Sequence, residues 1–557
     1  MCGICILWGK EPSVTPKLHK QCLDALTPRG PDVTHSELFE HDATGHTVAV
    51  GFTRLHIRGT AGGPEQPFRL SDGRLVLCNG EIFNSDILIP QLGLKVPEGA
   101  SDCAVIPALL SSLSLSSSFS PSLADVARLL DGDFAITVVA LNEGYIEVAR
   151  DPYGVRPLYF ASKEGEWSGI VSELKAMPPD ATTVHLIQPG TTQRFWLDGR
   201  IDLPKIWHQV PWLKVPFWGS SVDGLTAGGV ALRDALTEAV AKRLSTVRDI
   251  GACLSGGLDS SLVAAIAAKL LAAQGKRLHT YSVGMRGSTD LAHARIVANH
   301  IGSVHHERVL TAEECLAAIP NVVKAIETFD ITTVRASVGN YMVALLVKQE
   351  TPAVKVVLNG DGADEALGGY LYMRAAPSVS AFEAETDRLL TEIHRYDVAR
   401  SERCMATMGL ESRSPFLDRQ FIAVARGLPT EALMPTATVM EKSILRTAFA
   451  DSALLPTEVL WRRKEAFSDG ISRSDKSWFE MAREEGEKQQ KIGGQTSDQR
   501  PRVNPPQTAE AAWYRHLWSQ HFPEVAAAEV APIMWMPRFV QGATDPSART
   551  LTSLQKT

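Results

Sequence analysis

A cysteine stands directly behind the initiator methionine, in the stretch MCGICILWGK. Cys is a small residue, so removal of Met1 would leave Cys2 with a thiol and a free α-amine on the same Cα. An α-amine, with a pKa near ~7.7–8.0, is strong enough to take the thiol proton directly or through one water. Cys2 therefore has the makings of a nucleophile that brings its own base. On position alone, a buried small hydrophobe is the commoner fate of a free Cys, so the rest of the chain has to decide.

A second chemistry lies further on, in LSGGLDSS at 254–261, which follows an apolar strand and opens an Ala-rich helix. Backbone amides at a helix N-terminus, with their partial positive charge, make an anion site. Gly256 and Gly257 let the main chain approach the anion, and Ser255, Ser260 and Ser261 offer hydroxyl donors. Asp259 would repel a bare phosphate and needs a cation between them, a role that suits Mg2+. No G-K-[ST] follows, so this is not a Walker loop. The strand–SGGxDS–helix unit resembles the pyrophosphatase loop of enzymes that cleave ATP between its α and β phosphates; a Gly-rich turn with a helix cap is the plainer alternative.

An acidic loop, NGDGADEALGGY at 359–370, follows the strand VKVVL. In an open α/β sheet, ligands sit beyond the carboxyl ends of the strands. Asp361, Asp364 and Glu365 are thereby expected at the same edge as Asp259, suited to metal ligation or to proton transfer with a substrate. A solvated turn is the alternative. In RRKEAFSDG at 462–470, Lys464 could reach an α-phosphate and offset the charge that develops there in adenylyl transfer. Alone, it would read as a surface charge.

These residues need elements to hold them. The first two hundred residues read as short strands, among them ICILWG, TVAVGFTRLHI, RLVLCNGEIFN, FAITVVAL and PLYFAS. PKLHKQCLDALTP and SLADVARLLDG carry helical spacing. The pattern predicts an α+β domain of packed sheets over 2–200. SSLSLSSSFSPS at 111–122 reads as a surface loop. The Pro- and Trp-rich passage within 201–224 reads as a connection between domains, its Trp residues packed at their interface. Over 225–557, GACLSGG, HTYSVGM and VKVVLNG alternate with helical segments, which predicts a doubly wound parallel sheet. The polar stretch 484–507 reads as a mobile insertion.

The bulk numbers set outer limits. A chain of 557 residues implies about two to four domains. A net charge of −7 without a Lys/Arg stripe argues against a nucleic-acid partner. Eight scattered cysteines are too few for a disulfide framework, and no stretch has the length and apolarity of a membrane span. A soluble protein of a reducing, cytoplasmic compartment is expected. The pair Cys2 and Cys5 lacks the context of a redox or zinc motif.

Taken together, the motifs are similar to those of the glutamine-hydrolysing asparagine synthetases. The resemblance runs through MCGI, RGPD (29–32), NGEIFN (79–84), SDC (101–103), LDGDFA (130–135) and RDPYGVRPLY (150–159). It continues through LSGGLDSS, ETFDITTVRAS (327–337), SRSPFLD (412–418), KEAFSDG (464–470) and DPSARTL (545–551), in the family's order over nearly the whole chain. It implies an N-terminal-nucleophile glutaminase domain in front of an ATP pyrophosphatase-type domain. Cys2 would attack the glutamine carboxamide, with Asn79 and the Gly80 amide holding the oxyanion. Arg54 would clamp the substrate carboxylate within the segment Arg54, Leu55, His56, Ile57 and Arg58, and Glu81 and Asp102 would take the α-ammonium. In the second domain, Leu254, Ser255, Gly256, Gly257, Asp259, Ser260, Val283, Asn359 and Gly360 would contact ATP. Asp259 and Asp364 would face Mg2+, and Lys464 would be the catalytic lysine. The resemblance further implies aspartate as the acceptor of internally carried ammonia, and a homodimer.

Asp361 departs from the Glu that many members carry at a position tied to forming or using the adenylate; Asp keeps the charge and is one methylene shorter. The segment 399–413 matches more loosely than its surroundings. His293, His300, His305 and His306 lack the H-E-x-x-H spacing of a metal motif and are read as structural, at a helix end entering a strand. The competing enzyme, a relative that closes a β-lactam ring or amidates another carboxylate, commonly lacks the N-terminal nucleophile. A catalytically dead descendant would be expected to have lost Cys2, Asn79, Asp259 or Lys464, and all four are present.

Overall fold

The chain's computed structural model describes residues 1–60, 62–116, 122–209, 217–465, 470, 472, 476–493, 503–540 and 545–546. In the N-terminal part, period-two alternation buries both faces of the strand Gly3–Lys10. Ile4, Ile6 and Trp8 point into the space between two sheets. Cys5 and Leu7 point the other way, toward Cys22, Leu23 and Leu26 of the helix Pro16–Leu26. The first sheet runs Thr183–Leu186, Tyr159–Lys163, Trp167–Val171, Gly3–Lys10, His46–Arg54, Val33–His41, antiparallel throughout.

The second sheet runs Lys205–Ile206, Thr191–Trp196, Tyr145–Arg150, Gly132–Ala140, Leu75–Ile82, Phe68–Arg69. Its inner face sends Leu75, Leu77, Val139 and Val148 against Val48, Val50 and Phe52 of the first sheet. Its outer face packs Val76, Cys78, Phe134 and Ile136 on the helices Val105–Ser116 and Leu123–Leu129. The result is a helix–sheet–sheet–helix sandwich, with Cys2 immediately before the strand Gly3–Lys10 and Asn79 within the strand Leu75–Ile82.

The C-terminal part holds a five-stranded parallel sheet in the order Val304–Leu310, His279–Met285, Asp249–Cys253, Val354–Leu358, Glu411–Arg413. The chain winds outward to one side from Asp249–Cys253 and then restarts on its other side at Val354–Leu358. Ligands in such sheets bind outside the carboxyl ends of the strands, where the winding reverses. The loops beginning at Leu254 and Asn359 follow those two strands.

Three expectations need correction. The expected surface loop at 111–122 is helical as far as Ser116, because Leu109 and Leu110 extend a face already buried at Val105 and Ile106; residues 117–121 lie outside the described residues. The expected mobile insertion is helical as far as Gly493, in the helix Trp478–Gly493, whose Trp478 and Met481 are buried. Its polar face carries pairs such as Lys488–Glu485 at 3.3 Å, a solvated helix surface rather than a linker; residues 494–502 lie outside the described residues. Within the expected connection 201–224, Trp207 stacks on Phe134 at 5.9 Å and faces Arg419 of the C-terminal part, also at 5.9 Å, but a helix already begins at Val222; residues 210–216, with Trp212, lie outside the described residues.

Ile6 is fully buried between the sheets. Ile6→Ala is expected to cost about 2–5 kcal/mol, read as a lower denaturation midpoint at unchanged slope. A loss below about 1 kcal/mol would contradict the two-sheet packing.

Candidate functional site

Pairing of Gly3 with Thr53 sets Cys2 beside Arg54. The Cys2 thiol lies 4.0 Å from the carbonyl of Leu55 and is pushed up by burial. Met1 is attached and buried, so the Cys2 nitrogen is an amide; it donates to Asn79 Oδ1 at 3.0 Å. Burial pushes the Met1 amine down to about 6. Loss of Met1 would free an amine at the Cys2 nitrogen, next to the thiol. Asn79 Nδ2 is buried and has no hydrogen-bond partner among the described residues, a donor available for an oxyanion. Gly80 is held by strand approach: a Cβ there would lie 2.3 Å from Asp133 O and 2.7 Å from Phe134 Cα.

Of the residues expected around the substrate, Arg54, Leu55 and Asn79 lie beside Cys2, and Arg58, Glu81 and Asp102 form a charged group of their own. Arg54 is paired with Glu65 and donates to the carbonyl of Arg58 at 3.2 Å, so its fork is already engaged. Arg58 lies 2.8 Å from Asp86 and 3.6 Å from Glu81. Glu81 is pushed well up by burial and by the charge of Asp102. Asp102 is pushed up by burial against the pull of Arg58, and its Oδ2 accepts from the Ile82 amide at 2.6 Å. Two buried carboxylates side by side suit a cationic group.

Leu55 and Ile57 serve the scaffold. Both pack into the core of the C-terminal domain with Leu254 and Leu258. The carbonyl of His56 accepts from Arg248 at 2.8 Å, and that of Ile57 from the Val247 amide at 3.0 Å.

At the switch point, Leu254, Ser255, Gly257, Asp259, Ser260, Val283, Asn359, Gly360, Asp361, Asp364 and Lys464 line one cavity, although they come from four separate stretches of sequence. Gly256 makes the turn that lets the loop bend. Its φ is +70°, and a Cβ there would come within 2.5 Å of the Ala294 nitrogen and of His293 Cβ. The helix Leu258–Ala272 starts at Gly257 with no side-chain cap, which leaves its first amides for a ligand. Ser255 and Ser260 bond each other at 3.0 Å.

The acidic groups meet the expected Lys464 and a second cation, Lys442, that the sequence reading did not anticipate. Lys442, buried and with a φ of +57°, sits 2.7 Å from Asp259 and 2.6 Å from Asp364. Lys464 lies 2.5 Å from the other oxygen of Asp364. Burial alone would raise Asp364; the two ammonium groups outweigh it and hold the carboxyl well below the usual range. Lys464 is held fully charged in return: burial would lower it, and Asp364 and Asp259 raise it. Asp259 Oδ1 is buried with no hydrogen-bond partner among the described residues. A hard oxygen left over beside this cavity fits Mg2+, which takes one or two carboxylates and otherwise substrate oxygens and water.

Further residues complete the wall. Arg400 pairs with Asp361 at 3.1 Å and with Asp397 at 2.7 Å. Arg335, of ETFDITTVRAS, is gripped by Glu510 at 2.8 and 2.6 Å and by Asp545 at 2.9 and 2.8 Å. Asp290 is pushed up to about 7 by burial, against the pull of Arg462 at 2.8 Å. The motif around Arg335 was a signal; Lys442 and Arg400 sit in stretches with no distinctive spacing. The four histidines do not form one cluster: His293 bonds Thr289 O at 2.8 Å, His300 bonds Ala453 O at 3.0 Å, His305 bonds Thr280 at 3.0 Å, and His306 pairs with His279 at 3.1 Å. No group of three or more potential metal ligands exists among the described residues.

Comparison with known proteins covers both halves. The glutamine amidotransferase domain model matches residues 1–215, and the asparagine synthase model matches 231–389 and 375–536. The glutamine-hydrolysing asparagine synthetase of Gallus gallus is 37% identical over 579 residues, 99% of this chain and 98% of its own. The proteins of that name from Rattus norvegicus and Homo sapiens are 37% and 36% identical, over 585 and 580 residues, covering 100% and 99% of both chains respectively.

Gly256→Ala is expected to strain the loop by about 1–3 kcal/mol. Calorimetric titration should show MgATP binding weakened by about tenfold or more. Unchanged affinity would contradict the role given to this turn.

Proposed function

The chain belongs to the glutamine-hydrolysing asparagine synthetases, and from that premise we propose that its two sites make asparagine from aspartate, ATP and the amide nitrogen of glutamine. Residues 2–200 are assigned to the glutaminase domain, 201–224 to the connection and 225–557 to the ATP-using domain. What carries the reading is the convergence of Ser255, Ser260, Asp259, Asp364 and Lys464 on one cavity at the switch point of the parallel sheet.

In the first site, with Met1 removed, the Cys2 amine would take the thiol proton and the sulfur would attack the glutamine carboxamide. Asn79 Nδ2 and the Gly80 amide would hold the oxyanion, and collapse of the tetrahedral species would release ammonia and leave a thioester for water to cleave. The α-carboxylate of glutamine would displace Glu65 from Arg54, a fork suited to a carboxylate. The α-ammonium would meet Glu81 and Asp102, whose burial and mutual repulsion it would relieve.

In the second site, the aspartate β-carboxylate would attack the α-phosphorus of ATP and expel pyrophosphate. The first-turn amides of Leu258–Ala272 and the Ser255 and Ser260 hydroxyls would bind the phosphates. Lys464 would stabilise charge on the α-phosphate, and Lys442 would keep Asp259 and Asp364 in position. Mg2+, held by Asp259 and Asp364, would supply positive charge against the leaving pyrophosphate. Ammonia from the first site would then displace AMP from β-aspartyl-AMP. Asp361, paired with Arg400, keeps a carboxylate at this wall despite its shorter side chain. All eight cysteines are free thiols, which supports a reducing, cytoplasmic setting.

The test is a product assay with MgATP, aspartate and glutamine that follows asparagine, glutamate, AMP and pyrophosphate together. Asparagine is expected to match AMP; Cys2→Ala should lose glutamine-dependent synthesis and keep it when ammonium is supplied. Glutamate without asparagine would overturn the assignment of the second site.

A further inference from the structure

The helix Ile331–Glu350 forms one wall of the nucleotide cavity. Ala336, Asn340 and Val343 follow one another at spacings of four and three residues, so they share one face of it, and all three line the cavity. Val283, in the strand His279–Met285, and Leu254, just past the neighbouring strand, line it too. Val283 and Val343 belong to the same apolar cluster. The charge on this helix wall is that of Arg335, whose guanidinium is already held by Glu510 and Asp545. The cations Lys442 and Lys464 stand instead with Asp259 and Asp364, beside the phosphate loop.

Two asparagines line the cavity among the described residues, and they differ in what they have left to offer. The amide of Asn359 is spent. Its Nδ2 donates to Ser412 Oγ at 2.7 Å, and its Oδ1 accepts from Ser414 Oγ at 2.9 Å and from the Asp361 amide at 3.0 Å. Asn340 Oδ1 is buried and has no hydrogen-bond partner among the described residues. A buried acceptor without a donor is costly, so it marks a place where a bound molecule brings the donor.

We propose that Asn340 is a specificity-determining residue for the nucleotide, its Oδ1 accepting a hydrogen bond from the 6-amino group of adenine. The proposal rests on reading the Ser255 loop as the phosphate site. With the phosphates on that loop, the uncharged wall is left for the base. The faces of a purine suit Val283, Ala336 and Val343, and its edge meets the amide set between the last two. Asn offers an acceptor and a donor in one plane, the pattern that matches the amino group of adenine and its adjacent ring nitrogen. A purine without the amino group fills the same apolar space and leaves Oδ1 unpaired. Sites built to pair a polar group discriminate strongly against an analogue that lacks it.

The test is a cycle between enzyme and nucleotide on the full-length protein. Pyrophosphate release is followed with aspartate, Mg2+ and ammonium, so that the glutamine site takes no part. The wild type is expected to use purine riboside triphosphate, which lacks the 6-amino group, with a kcat/KM about tenfold or more below that for ATP. Asn340→Leu keeps a helix former of similar size; its kcat/KM for ATP is expected to fall by about tenfold, with that for purine riboside triphosphate within about threefold of wild type. A merely structural role would lower both nucleotides alike. A wild type that does not distinguish the two, or a folded Asn340→Leu enzyme that loses equally on both, overturns the proposal. Should Asn340→Leu fail to melt cooperatively, Asn340→Ala takes its place in the cycle. Failure of the underlying reading is distinct, because the wild type would then release pyrophosphate from neither nucleotide, and the proposal would fall with it.

Discussion

Buried charge at the seam between the two domains is the constraint on which the arrangement of both sites depends. Arg29, fully buried, donates to the carbonyl of Cys2 at 2.9 Å and pairs with Glu173 at 2.6 Å in its own domain and with Glu402 at 2.5 Å in the other. Arg156 donates to the carbonyl of Ser412 at 3.3 Å and faces Glu411 at 3.8 Å. In the opposite direction, Glu327 accepts the amides of Leu174 and Lys175 at 3.0 and 2.9 Å. Leaving one partner of such a buried pair alone costs about 3–5 kcal/mol. Each of these groups has a partner across the seam, so docking is specified by charge as well as by the apolar contact of Leu55, Ile57, Tyr153 and Val155.

The helix Asp397–Thr407 shows how this seam serves two chemistries at once. Asp397, Arg400 and Ser401 line the nucleotide cavity. Glu402 meets Arg29, and Arg403 lies 3.6 Å from Glu327 and donates to Tyr159. Helical periodicity alone divides the element between the two sites, so a rigid displacement at one face is felt at the other. This helix and the edge strand Glu411–Arg413 thus each carry contacts toward both sites.

Sequence made the local chemistry legible and left the long-range chemistry hidden. Cys2, the Gly256 turn and the acidic loop were readable because each needs particular residue types at fixed spacing. The period-two strands and the βαβ alternation were readable for the same reason. Lys442 was not, because what qualifies it is a backbone φ of +57° that turns its ammonium onto Asp259 and Asp364, far away in the chain. Arg400 and Glu402 fell in a segment that matched the family more loosely than its surroundings, and Arg413 lay inside the SRSPFLD match, which named no partner for it. Their work is pairwise and across domains, and no periodicity announces it. The helix ending at Ser116 and the one spanning Trp478–Gly493 were obscured by polar, low-complexity composition, whereas the structure decides them by the few apolar residues they bury.

The central claim is that the seam joins the two sites into one enzyme in which nitrogen passes between them without leaving the protein. The most direct measurement supplies amide-15N-glutamine together with an excess of unlabelled ammonium and reads the isotope in asparagine. Asparagine carrying the 15N label despite the excess is the predicted result. Label diluted to the proportion present in the bulk ammonium would contradict it.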